Sequence, residues 1–189
     1  MVTKYAQKAA VMAKELAIFG GSFNPVHLGH LIIAECCLEQ AHLDRVLFMP
    51  AATPPHKQNS PLACPEDRIE MLRLALASHD KLDFSLNECD RGGISYTVDT
   101  VSNLVARHPN DRFSLILGPD ALRDLPSWRK PQEILGIVRI LAIERHGIDD
   151  IEKTLQEPQL KALLSNKQSQ QIKAERIQVP GIGIRANQI

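Results

Sequence analysis

The chain has 189 residues, 44% of them hydrophobic, with 22 Lys plus Arg against 22 Asp plus Glu and no net charge at neutral pH. That length suits one domain with a substantial core, and the apolar content excludes a disordered chain. The charge balance argues against a general nucleic-acid binder, so an anionic ligand would have to be held locally by a few placed groups.

Residues 1–15, MVTKYAQKAAVMAKE, lack the continuous apolar centre of a signal peptide and read as a short helical extension. A single domain is expected over 16–189. No apolar run is long enough to span a membrane and nothing argues for export, so a cytoplasmic protein is expected. LAIFG (16–20) reads as a buried strand, and from His30 the run HLIIAECCLEQA has apolar positions at helical spacing. RVLFMPA (45–51) is a second β-rich run, followed by a proline-rich loop over 53–65 that is too polar for a core. PEDRIEMLRLALAS (65–78) opens with proline and acids, as a helix start should. LDFSLNE (82–88) alternates like a strand, and TVDTVSNLVARH (97–108) is an amphipathic helix ended by Pro109. RFSLILG (112–118) is another buried strand, with a loop and short helices through Leu135. RILAIER (139–145) is a fifth strand, 149–175 is polar, helix-prone and expected outside the sheet, and IQV (177–179) reads as a sixth strand. Cys36, Cys37, Cys64 and Cys89 form no C-x-x-C pair and are expected to be buried thiols of a reducing cytosol rather than a disulfide framework.

Strands alternating with helices predict an α/β, Rossmann-like, doubly wound fold: a mostly parallel sheet with helices on both faces. Ligands of such sheets sit beyond the carboxyl ends of the strands. That places Gly20 to His30, Met49 to Lys57 and Gly118 to Asp120 along one rim.

The first of these, IFGGSFNPVHLGH (18–30), carries the chemistry. Gly20 and Gly21 allow a sharp turn and close approach of a ligand to the backbone. The helix that follows directs free N–H groups and a positive dipole end at the same space, which favours phosphate. His27 and His30 fall three apart on one side of the first turn, where both can donate to phosphate oxygens and an anion favours their protonated forms. The alternatives are a Gly-rich turn with surface histidines, or two ligands of a zinc site, although no fitting Cys, His or carboxylate cluster stands nearby. The spacing is neither that of a P-loop nor that of a dehydrogenase fingerprint.

GGSFNPVHLGH resembles the H-x-G-H signature of the nucleotidyltransferase superfamily. Three further places narrow the likeness. PAATPPHK (50–57), GGISYTVDT (92–100) and LGPDALRDLPSW (117–128) resemble, in order and spacing, the second-strand loop, the acceptor segment and the G-x-D-x-L-x-x-L-P-x-W stretch of bacterial nicotinate-nucleotide adenylyltransferases. The C-terminus departs from the pattern: that family closes with a phosphate-binding turn, I-S-[SA]-T-x-I-R, for which IRANQI (184–189) is the best register. Arg185 then stands for the serine and Asn187 for the threonine, and the following arginine and final helix are missing as written.

The resemblance implies an enzyme of NAD biosynthesis that joins ATP to nicotinate mononucleotide, giving nicotinate adenine dinucleotide and pyrophosphate. It implies His27 and His30 as catalytic groups and Gly20, Gly21, Ser22, Phe23, Gly118, Asp120 and Arg185 beside them around ATP. Ser95, Tyr96, Thr97, Lys57 and Trp128 are implied around the mononucleotide, and Mg²⁺ arrives on the triphosphate, held largely by phosphate and water. Lys57 reads either as a mobile phosphate contact or as a solvated lysine. Asp120 can accept from ribose hydroxyls or cap the next helix. Trp128, the only tryptophan, can stack on the pyridine ring with Tyr96 nearby or cap the core. Backbone N–H groups at Tyr96 and Thr97 suit an acidic ring substituent better than an amide. Arg91 reads as a solvated loop charge. No protein-held metal, nucleic acid or membrane partner is expected, and a homo-oligomer is compatible with the sequence. The rival readings are an adenylyltransferase for another phosphorylated acceptor, which the G-I-S-Y-T segment and Trp128 oppose, and a non-catalytic nucleotide sensor, which the two histidines oppose.

Overall fold

The computed structural model describes residues 13–53 and 62–181. Six strands form one sheet: β1 (Glu15–Gly21), β2 (Arg45–Pro50), β3 (Leu82–Phe84), β4 (Arg112–Leu117), β5 (Arg139–Arg145) and β6 (Ile177–Val179). Their order is β3-β2-β1-β4-β5-β6 and every pairing is parallel. This is the doubly wound α/β architecture, in which the strand order reverses between β1 and β4.

The strands are short apolar runs because both faces are covered. Along β1, Ala17 and Phe19 point to one face and Leu16 and Ile18 to the other, as the two-residue period requires. The first face packs on α1 (Leu28–Gln40) and α2 (Pro65–Leu76) through Ala34, Cys37, Leu38, Leu72 and Leu76. The second carries α4 (Thr97–Arg107) and α6 (Pro131–Ile137), with Val101, Leu104 and Ile134 buried against the sheet. Each fully buried Leu or Ile of this kind contributes roughly 1.5–3 kcal/mol of apolar burial.

The segment 149–175 lies outside the sheet as expected, as α7 (Ile151–Thr154), α8 (Pro158–Leu163) and α9 (Asn166–Ala174). Its sparse apolar residues Ile151, Leu160 and Ile172 nevertheless join the second core. Ser165 and Gln168 close a reciprocal capping box at the start of α9.

The structure differs from the sequence expectation in three places. β3 stops at Phe84, and Asn87–Arg91 forms a short helix, α3, where a strand was expected to 88. Turning the chain lets Glu88 fold inward and accept from Thr100 at 2.6 Å, which an extended segment would not allow. Helix α1 begins at Leu28, ahead of His30, with His27 as its N-cap. Finally, only Cys37 is buried among the cysteines. Cys36 and Cys89 are half-buried and Cys64 is exposed, where its Sγ caps α2 by accepting from the amide of Asp67. All four are free thiols.

Candidate active site

Where the strand order reverses, the ladders differ in length. β1 pairs with β2 to Gly21↔Pro50, but with β4 only as far as Ile18↔Leu115. Beyond that point β1 and β4 part, and a cleft of about 630 Å³ opens between their carboxyl ends. Gly21 to Pro25 and His30 form one wall. Gly118, Asp120 and Trp128 form the other, and Ile143 and Arg145 of β5 contribute as well. That volume is on the scale of a small-molecule site.

The turn out of β1 is not made at the glycines. Gly20 and Gly21 are extended within β1, and the left-handed residue is Phe23, at φ +44°. Gly21 is needed for packing: a Cβ there would lie 3.0 Å from the Phe23 ring. A Cβ at Gly20 would meet nothing within 4 Å, so the backbone there is open to approach. The buried Phe23 ring packs edge-on against Phe19 and His30, with centroids 5.8 and 5.2 Å away, and at 5.4 Å from Phe48. This aromatic floor holds one side of the His30 imidazole.

The other side of His30 is covered by His27, whose ring centroid is 3.8 Å away at a tilt of 36°. The amide of His27 donates to Nδ1 of His30 at 3.2 Å, so the neutral His30 ring carries its proton on Nε2 and presents a donor there. Burial first, and then the neighbouring charge of His27, lower the His30 pKa to about 4, against a smaller opposing effect of the His27 backbone. Burial also lowers that of His27. Both rings are therefore neutral at pH 7 until an anion arrives to favour their charged forms. Gly29 makes this stack possible, because a Cβ there would lie 3.0 Å from His27 Nδ1. Among the described residues His27 Nδ1 is the buried side-chain polar atom left without a hydrogen-bond partner. The atom is buried behind His30, and His27 is not among the residues that line the cleft.

On the opposite wall, Gly118 caps α5 (Pro119–Asp124) with its extended backbone, so Asp120 is not the helix cap. The Asp120 carboxylate is 87% exposed and pairs with Arg123 at 3.0 Å, leaving acceptor capacity towards the cleft. Arg145 is held bidentate by Asp149 at 2.6 and 3.0 Å, so its charge is already matched.

Tyr96 is the N-cap of α4, and Thr97 its first residue. Ser95 is buried: its Oγ accepts from the amide of Ala52 at 3.0 Å, and its own amide donates to Thr53 O at 3.0 Å. Glu88, buried and raised in pKa chiefly by that burial, accepts from Thr100 and is also bonded by Ser95. Arg91 is not a free loop charge, since its Nη2 donates to Thr100 Oγ1 at 3.2 Å. The Arg129 guanidinium lies over the Tyr96 ring, 4.7 Å from its centroid. Trp128 and Tyr96 both pack on the second core. Among the described residues no three His, Cys, Asp or Glu side chains come together as a metal site.

A cytidylyltransferase-like family model matches residues 18–178. The chain belongs to the cytidylyltransferase-like family. Within it the chain is 45% identical over 134 residues to the nicotinate-nucleotide adenylyltransferase of Bacillus subtilis, covering 71% of each chain. It is 44% identical over 143 residues to a probable nicotinate-nucleotide adenylyltransferase of Synechococcus sp., covering 76% of this chain and 71% of that one. Among solved structures, the nicotinic acid mononucleotide adenylyltransferase of Plasmodium falciparum complexed with NaAD superposes with a TM-score of 0.67. At 18% identity, over 93% of this chain and 80% of that one, it shows a shared fold.

In this cytidylyltransferase-like chain, six of the residues expected around ATP line the cleft: Gly21, Ser22, Phe23, His30, Gly118 and Asp120. Gly20 precedes that lining and His27 stacks behind His30. Trp128 lines the same cleft, whereas Ser95, Tyr96 and Thr97 stand apart at the start of α4. Lys57, Arg185 and the turn at 184–189 lie outside the described residues. Sequence reasoning missed Gly29, although the signature contains it, because its role is to leave room for a neighbouring ring. It also missed Glu88 and the buried Arg68, whose positions carry no local pattern that tells an inward charge from a solvated one.

Proposed function

We propose that the protein is a nicotinate-nucleotide adenylyltransferase, transferring AMP from ATP to nicotinate mononucleotide to give nicotinate adenine dinucleotide and pyrophosphate. The observation that carries this reading is the stacked His27–His30 pair beside the cleft where β1 and β4 part, in a chain 45% identical to the Bacillus subtilis enzyme.

The chemistry asks little of the side chains. An oxygen of the acceptor phosphate bonds to the α-phosphorus of ATP as the bond from that phosphorus to the α–β bridging oxygen breaks, and the electron pair leaves on pyrophosphate. The second pKa of such a phosphate is about 6, so the nucleophile is already ionised at neutral pH. Catalysis is then alignment plus stabilisation of charge on the departing oxygens. In this reading the amides of Gly21 to Phe23, with His27 and the Nε2–H of neutral His30, hold the phosphates. The openness at Gly20 and Gly118 admits ligand backbone-close, and Asp120 accepts from the ribose hydroxyls. Trp128 offers a ring face to the pyridine, while the start of α4 at Tyr96 and Thr97 offers amides to its carboxylate; Ser95 serves by fixing that backbone. Lys57 and Arg185 are read as further phosphate contacts. Mg²⁺ enters with ATP as part of the substrate. A cytoplasmic location goes with free thiols at all four cysteines.

An acceptor panel tests the reading. Purified protein with ATP and Mg²⁺ should release pyrophosphate faster with nicotinate mononucleotide than with nicotinamide mononucleotide or phosphopantetheine. Equal or reversed preference removes the helix-start argument for an acidic ring. ATP binding without turnover on any acceptor would make the protein a nucleotide sensor.

A further inference from the structure

Arg68, on α2, is 1% exposed and is among the largest fully buried side chains. Its guanidinium makes no ion pair with a carboxylate among the described residues. Its hydrogen bonds go to backbone carbonyls: Nη1 donates to Ser22 O and to Ala51 O, both at 2.8 Å, Nε to Ala63 O at 3.2 Å, and Nη2 to Ala52 O at 3.4 Å. A buried cation is an expensive way to join carbonyls, because the desolvation of the charge is recovered only through well-made bonds. Apolar packing would stabilise the same helix more simply, so stability alone is a poor reason for its presence.

What the guanidinium joins is informative. Ser22 belongs to the segment that follows β1 and lines the cleft, whereas Ala51 and Ala52 follow β2. The amide of Ala52 donates to Ser95 Oγ, and Thr53 pairs with Ile94, so this second segment carries the start of α4. One nitrogen, Nη1, thus spans the backbone of the donor side and the backbone of the acceptor side. The planar fork of an arginine fixes both directions at once, which a lysine ammonium cannot do.

We infer that Arg68 is a positioning residue for the transfer reaction, setting the distance and angle between the triphosphate segment at Ser22 and the acceptor segment at Ser95–Thr97. It touches neither substrate. The inference rests on the adenylyltransferase reading for the reaction it aligns. Alignment between two substrates matters most in the transition state, and a displacement of about 1 Å can cost about 10²-fold in rate.

The test is Arg68→Lys and Arg68→Met, compared with wild type for kcat, for KM of both substrates and for melting temperature. Folded Arg68→Lys should lose about 10- to 100-fold in kcat, with each KM changing only a few-fold, and Arg68→Met at least as much. Guanidinium ion at low millimolar concentration should restore part of the lost kcat in Arg68→Ala. Amide hydrogen exchange reads the same link without turnover: Ala51, Ala52 and Ser95 should exchange faster together in Arg68→Lys. A folded variant with near wild-type kcat and unchanged exchange overturns the inference. So does a loss confined to KM, or failure of both variants to fold, which would assign Arg68 to stability. If the wild type uses another acceptor, the substrate reading fails while the variant-to-wild-type ratio is measured with that acceptor. If it turns nothing over, exchange decides.

Discussion

The amide of His27 donates to Nδ1 of His30, and the two rings stack with centroids 3.8 Å apart. Burial of the ring, and then the neighbouring charge of His27, keep His30 neutral, with its pKa lowered to about 4. A histidine whose folded pKa lies below its unfolded value of 6.5 costs no stability above that value. As the pH falls from 6.5 towards 4, the unfolded chain takes up a proton that the folded chain refuses, and stability is lost across that window. At pH 5 the loss from His30 is roughly 2 kcal/mol. Urea denaturation of wild type and His30→Asn at pH 7.5 and pH 5 checks this. An equally steep decline in the variant would mean that other groups carry it.

The same pair should dominate turnover. His27→Ala and His30→Ala are each expected to lower kcat about 10²- to 10³-fold, the cost typical of losing a preorganised donor to a developing anion. Gly29→Ala separates activity from stability. Alanine favours a helix over glycine by roughly 0.5–1 kcal/mol, but its Cβ would lie 3.0 Å from His27 Nδ1 and push that ring aside. Turnover should fall while the melting temperature stays level or rises. Full activity in Gly29→Ala would free the His27 ring from the role given to it here.

Glu88 braces the start of α4, the acceptor side in the proposed function, through Thr100 and Ser95. Truncating it to alanine strips the buried Thr100 hydroxyl of its 2.6 Å acceptor, at a cost of about 1–3 kcal/mol. KM for nicotinate mononucleotide should rise more than KM for ATP, because Ser95 and the start of α4 lose their brace. Its folded pKa is raised above 4.5, so stability declines as the pH rises from 4.5 through the raised value. Glu88→Gln, which keeps the shape, should flatten that decline. A selective rise in the ATP KM of Glu88→Ala would contradict the assignment.

Trp128 is the only tryptophan in the chain, so its fluorescence reports on one wall of the cleft. Nicotinate mononucleotide should quench it through ring stacking, and Trp128→Ala should weaken that ligand while sparing ATP. If ATP binding falls instead, Trp128 belongs to the adenosine side with Asp120.

The doubly wound sheet was legible because its strands are continuous apolar runs separated by helical periodicity, and neither depends on distant contacts. The signature His27-x-Gly29-His30 was legible as a local motif for the same reason, and its phosphate role belongs to the proposed function. What escaped were features decided by partners far along the chain. Residues 82–88 alternate like a strand, yet Glu88 turns inward to reach Thr100, twelve positions away. Arg68 sits in a helix opening rich in charge, where no local pattern marks it as buried until the segments after β1 and β2 close on it. Asp120 reads either as a ribose contact or as a cap, and the extended backbone of Gly118 takes the cap position two residues earlier.

The early parting of β1 from β4 bears on how this site tolerates change. Past Ile18 and Leu115 the facing edges of the two strands no longer pair with each other. Their amides and carbonyls become an interior margin of the sheet, turned towards whatever occupies the cleft. Those groups belong to the peptide chain itself, so among single substitutions only proline removes one, by taking away an amide hydrogen. Drift in the sequence can therefore alter the side chains around the cleft, while the backbone groups at its strand ends are inherited with the topology.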